Sequence, residues 1–176
     1  MIRLSILCIA ILTAAATATG SLPEGIAIIP VPVFISDSLV FSFDDTEPAS
    51  DELVSELGLS ELPFVIGHSS QYISGRIEIE GAPLLLLLFQ NHTEEISGWL
   101  VSCSDDGGII DYLYVYYWNS EGFASRTGFV GADGTVVVNE WLIDESGGST
   151  EIDTVSLRED GFFEVNGNIL DHTNDE

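Results

Sequence analysis

The sequence predicts an α+β fold that is β-rich: a largely antiparallel meander sheet of six to eight strands with one short N-terminal helix packed on it. Three observations predict it. From Tyr72 onward, glycine with Asp, Asn or Ser marks a turn every 9–15 residues. Between those turns, β-branched and aromatic residues alternate with polar ones at the period of a half-buried strand. Only one stretch, Pro48–Leu59, has the grammar of a helix.

Gly25–Phe43 is apolar, but Pro30 and Pro32 cannot donate to a ladder. Ile26–Val33 is therefore expected as an extended lead-in or an edge strand. Ser38–Phe43 (SLVFSF) alternates and is expected as a strand. In Pro48–Leu59, Pro48 suits the first turn and Ser50 can cap. Asp51 and Glu52 complement the dipole, Leu53 and Leu57 share a stripe, and Gly58 ends the helix.

The meander follows. Tyr72–Glu80 alternates, with Ile73, Ile77 and Ile79 against Tyr72, Arg76, Glu78 and Glu80. Leu84–Gln90 (LLLLLFQ) does not alternate, so both of its faces are expected to be covered, which makes it the most central strand. Ile96–Ser104, Ile109–Asn119, Phe123–Val130, Thr135–Ile143, Thr150–Arg158 and Phe162–Val165 complete the series. No fixed period with a signature links them, so the pattern is a meander and not a propeller.

Met1–Ala18 has one basic residue, Arg3, an apolar run Leu4–Leu12, and small residues after it. That is the layout of a secretory signal peptide, with Ala16-Thr17-Ala18 or Ala14-Ala15-Ala16 at the cleavage site. The apolar run is shorter than the ~20 residues a membrane span needs. Cys8 lies inside it and not after small residues, against a lipoprotein. The chain is thus expected to be exported, secreted or periplasmic, with no membrane insertion after cleavage. Residues 19–169 form a single β-rich domain, and residues 170–176 an acidic flexible tail.

The protein has 29 acidic residues against four arginines and no lysine, for a net charge of -25. Such a charge repels nucleic acid and anionic lipid, and it favours solubility and tolerance of salt. After cleavage Cys103 is the only cysteine, so no internal disulfide forms, and no zinc spacing exists.

Chemistry is sought in three constellations. In Ile109–Asn119 (IIDYLYVYYWN), strict alternation puts Tyr112, Tyr114, Tyr116 and Trp118 on one face, a row of rings suited to stacking on sugars. Leu113 and Val115 on the other face prefer burial, which turns the rings outward. The acidic turns Asp105/Asp106, Asp133 and Glu159/Asp160 would gather at one end of a meander and offer oxygen ligands for calcium, although none has the EF-hand spacing. Glu140 and Asp111 each share a strand face with apolar residues, as a general acid can, and form a candidate hydrolytic pair if neighbouring strands bring them together. Gly67-His68-Ser69-Ser70-Gln71 approaches a nucleophile elbow but lacks its last glycine and its following helix. Asn91-His92-Thr93 has the form of a glycosylation sequon. No cofactor is expected. The reading that follows is a non-catalytic binding protein of the cell exterior, with a glycan or a protein as partner, and a small hydrolase as the alternative.

Overall fold

The computed structural model describes residues 26–43, 47–63, 70–144, 147–170 and 172. The signal-like stretch with both cleavage positions, Gly67, His68 and Ser69 of the elbow-like loop, and tail residues 171 and 173–176 lie outside the described residues.

The meander forms as eight consecutive antiparallel strands: β3 (Ser70–Ile77), β4 (Leu84–His92), β5 (Glu95–Cys103), β6 (Ile109–Asn119), β7 (Ala124–Val130), β8 (Thr135–Asp144), β9 (Gly147–Leu157) and β10 (Phe163–Val165). Three short strands are added to them: β1 (Ile28–Ile29), β2 (Val33–Ile35) and β11 (Asn168–Ile169). The sheet therefore has eleven strands where six to eight were expected. The excess comes from two- and three-residue strands, too short to show a period in sequence.

β1 is the edge that the prolines imply, and it runs parallel to β3 (Ile28 beside Arg76). β2 does not continue it. It crosses to β7, pairing Val33 with Val130 and Ile35 with Gly128. The single helix expected is also two. Ser38–Phe43 is helical, as α1 (Asp37–Val40) and a 3-10 turn, where a strand was expected. The amides of Leu39 and Val40 both donate to Ser36 O at 2.9 Å, and Val40 is buried in the core. Tertiary burial of one valine outweighs six alternating residues. The second helix, α2 (Asp51–Glu56), starts three residues after Pro48. Ser50 caps it by accepting from Leu53 N–H at 3.2 Å, and Gly58 (φ 67°) ends it before a 3-10 turn at Leu59–Glu61.

One core forms within the sheet. Residues of β1–β10, among them Ile35, Ile77, Leu85, Leu87, Leu100, Val115, Val136, Val155 and Phe163, are buried in a single cluster. β6 and β7 pair at only two positions, Tyr117 with Arg126 and Trp118 with Ser125. Beyond them β2 takes the edge of β7. Two further bonds pull the β9–β10 turn onto β5 and β6: Ser102 Oγ donates to Gly161 O at 2.6 Å, and Phe163 N–H donates to Asp111 at 2.8 Å.

A second cluster lies on the other face of β3–β6. Leu57, Leu59 and Leu62, from the segment that follows α2, pack there on Leu86, Leu88, Trp99, Val101 and Cys103. β4 is thus buried on both faces, as its run of leucines requires.

Candidate functional site: the rings of β6 and the outer face of β7–β9

The four rings expected in one row do not share a face. Two β-bulges interrupt β6. Trp99 lies opposite Tyr114 and Gly98 opposite Tyr116, so Val115 is an extra residue. Ser102 lies opposite Asp111 and Cys103 opposite Ile109, so Ile110 is another. Each extra residue reverses the alternation beyond it. Tyr112 and Tyr114 stay on the face that α2 covers in part, while Tyr116 and Trp118 turn into the main core. Tyr116 is fully buried, its ring edge-on to Phe89 at 5.7 Å and its hydroxyl donating to Asp37 at 2.9 Å. Burial pushes its pKa up. Trp118 is half-buried, edge-on to Phe41 at 5.7 Å.

Tyr117 takes the place of Tyr116 beside Tyr114, the two rings meeting edge-on at 6.5 Å. The rings of this face already have partners. Tyr112 stacks on the His172 imidazole at 4.0 Å. Tyr114 stacks on Trp99 at 5.3 Å, and the Arg126 guanidinium sits 4.4 Å from its centroid. Burial raises the Tyr114 pKa to about 12. Tyr117 remains at the rim, donating to Glu95 at 3.0 Å and accepting from Asn119 at 3.4 Å.

Arg126 was not among the residues singled out from sequence. It is one of only four cations in the chain and stands alone in a neutral strand, and that was the signal available. Its Nη2 bonds Glu140 at 2.7 Å and its Nη1 reaches Tyr114 O at 3.5 Å. Glu140 is thereby an ion-pair partner. Asp111 is 5% exposed and works as a clasp: it accepts Phe163 N–H at 2.8 Å and Tyr112 N–H at 2.9 Å, and it meets His172 Nε2 at 2.7 Å. Asp111 stands six residues along β6 from Tyr117, whose cross-strand neighbours are Arg126 and then Glu140. At about 3.3 Å per residue the two carboxylates are separated by roughly 20 Å, beyond any glycosidase pair. The structure does not bring them together.

The acidic turns are used locally. Asp106 accepts from Ser104 Oγ and Asp133 from Thr135 N–H at 3.1 Å, and Asp160 pairs with Arg158 at 2.8 Å. Each of these bonds holds its carboxyl below the usual range. Asp105 is exposed. No group of three or more His, Cys, Asp or Glu side chains able to hold a metal ion occurs among the described residues. Cys103 is buried, and burial pushes its thiol to about 12, far from a reactive thiolate. No helix among the described residues is long and apolar enough to cross a membrane.

The surface that sequence reasoning passed over is the outer face of β2, β7, β8 and β9. Cross-strand register aligns Phe34, Phe129, Val137 and Thr154 in one row, and Thr127, Asn139 and Ile152 in the next. Phe34 is 57% exposed and Ile152 is 65% exposed. Ile143, with its amide on Phe123 O, lies beyond them, and Phe123 and Ile143 are exposed too. None of these apolar side chains belongs to either buried cluster.

No family model, curated protein or solved structure matches the chain.

Proposed function

We propose that the protein is a non-catalytic interaction domain of the cell exterior, and that it meets a protein partner on the outer face of β7–β9. One observation supports this reading above the others. The outer face of β3–β6 is covered in part by Leu57, Leu59 and Leu62 of the segment after α2, whereas the outer face of β2 and β7–β9 presents Phe34, Ile143 and Ile152 to water. The cross-strand row Phe34, Phe129 and Val137 gives this face continuous apolar surface, with Ile152 and Ile143 further along it, and exposed apolar surface of this kind marks interaction sites. Export is supported by the Arg3–Leu12–Ala18 layout, and the excess of acid keeps a protein with such a face soluble.

The glycan-binding form of this reading falls to Tyr117, since Tyr112 and Tyr114 already stack on other groups. Hydroxyl-radical footprinting in the native exterior medium and after purification tests both forms. Protection of Phe34, Ile143 and Ile152 in the native medium is the expected result. Protection confined to Tyr117 would favour a glycan, and no difference at any of these positions would overturn the interaction reading.

A further inference from the structure

We infer that the free edge of β9 accepts an added strand, and that its partner is an extended segment in which basic and apolar residues alternate. This rests on the interaction reading above and names the chemistry of the partner.

β9 is eleven residues long, yet β10 pairs with it only at Ser156 and Leu157. β8 pairs with it along its length, so the opposite edge from Gly147 to Val155 is open among the described residues. The parity of the ladder decides which groups face out. Leu157 N–H donates across to Gly134 O at 2.9 Å on the β8 side, and Arg158 N–H donates to Phe162 O at 3.0 Å on the other side. Hydrogen-bonding direction alternates along a strand. Odd-numbered residues therefore bond β8, and Gly148, Thr150, Ile152 and Thr154 turn their N–H and C=O groups to the open edge. Four successive outward residues form a template for strand addition.

Side chains specify the guest. Ile152 stands on the outer face beside Asn139, and Thr154 beside Val137. Glu151 and Asp153 stand on the opposite face, across from Glu140 and Val138, and both are exposed. Glu151 thus meets a like charge on its β8 side, where the Arg126 guanidinium is already engaged by Glu140. A guest strand that continues the sheet places alternate residues beside Ile152 and beside Glu151/Asp153. The first set is matched by Val, Ile or Tyr and the second by Lys or Arg. A second copy of this chain is a poor guest: antiparallel pairing centred on Ile152 sets Glu151 against the other copy's Asp153 twice, and each protein carries a net charge of -25.

The test uses the full protein and a labelled peptide of alternating lysine and valine, with a peptide of the same composition in which the lysines are grouped at one end. Fluorescence anisotropy reads binding, and amide exchange reads the edge. Preferential binding of the alternating peptide, with slowed exchange at Thr150, Ile152 and Thr154, is expected. Thr150→Pro removes one outward N–H and no bond to β8, so the fold should survive while affinity falls about fivefold or more. An unchanged melting temperature checks the fold. Equal binding of both peptides, or binding without protection at those amides, would overturn strand addition. Failure of the alternating peptide while the outer-face footprint persists would overturn the basic partner and leave the interaction reading standing. Self-association of the protein with protection of the same amides would assign the edge to a second copy instead.

Discussion

β4 and β8 are both long inner strands of one antiparallel sheet, and they solve the burial problem differently. β4 puts Leu85, Leu87 and Phe89 into the main core and Leu86 and Leu88 under Leu57, Leu59 and Leu62 of the segment after α2. β8 puts Val136 and Val138 into the same core, but its other face carries Val137 and Trp141, and among the described residues no helix lies over them. The chain before β3 supplies a covering segment for the first half, and no described segment does so for the second. That leaves the outer face of β8 half-apolar, with no cover among the described residues.

The comparison breaks most easily at the bulge in β6. A Cβ on Gly98 would lie 2.5 Å from the Phe89 ring and 2.9 Å from Tyr116 Cβ. Tyr116→Ala should therefore cost about 3–5 kcal/mol, as for other large core rings, and Gly98→Val should fail to fold or lose a similar amount. Urea unfolding measures both. If Tyr116→Ala cost less than about 1 kcal/mol, Tyr116 would belong to an exposed row after all. Trp118→Ala should cost less, about 1.5–3 kcal/mol, because the ring is only half-buried.

Alkaline titration sharpens the contrast between the rings. A tyrosine whose folded pKa is raised stabilises the fold fully below its unfolded value near 10, and that contribution is lost as pH rises through the folded value. For Tyr114 the window runs from about 10 to about 12, and for Tyr116 it extends higher. Spectrophotometric titration should show these two of the five tyrosines ionising late or with unfolding, with Tyr117, whose pKa burial also raises, above the ordinary value as well. All five ionising together near 10 would contradict the packing of both rings. The smallest effect belongs to the bare face: Phe34→Ser and Ile152→Ser should each change stability by no more than about 0.5 kcal/mol, while reducing binding of a dye that reports exposed apolar surface. Destabilisation of several kcal/mol by either would mean the face is covered.

The order of β3 to β10 and the burial of β4 on both faces were legible because they rest on turn residues and on a run of leucines that no half-exposed strand would carry; the central position expected for β4 was not, since β4 lies third from the β1 end of the sheet. The ends of β6 were read to the residue. Its faces were not, since alternation is read modulo two and an extra residue leaves no mark on composition. Gly98 was the one clue: a glycine inside a strand of apolar residues signals close approach, here of Tyr116 and Phe89. α1 was illegible for another reason. SLVFSF satisfies either period over six residues, and burial of Val40 decided it. The Arg126–Glu140 pair depends on a register that puts two residues fourteen positions apart side by side, which only the folded sheet supplies.

Every described arginine is held by a carboxylate: Arg76 by Glu78 at 3.1 Å, Arg126 by Glu140 at 2.7 Å, and Arg158 by Asp160 and Glu164 at 2.8 and 3.2 Å. With no lysine anywhere, these are the positions that a trypsin-like protease can use within the folded domain. Arg76 and Arg126 lie inside paired strands, where a cleavage loop cannot form, and their guanidinium groups are already engaged. Arg158 lies in the β9–β10 turn, and its scissile bond leads into Glu159 and Asp160. Digestion of the native protein should therefore be slow and begin there, releasing the C-terminal strands first. Wherever proteases are abundant, the same pairing that orders the arginines is a form of durability.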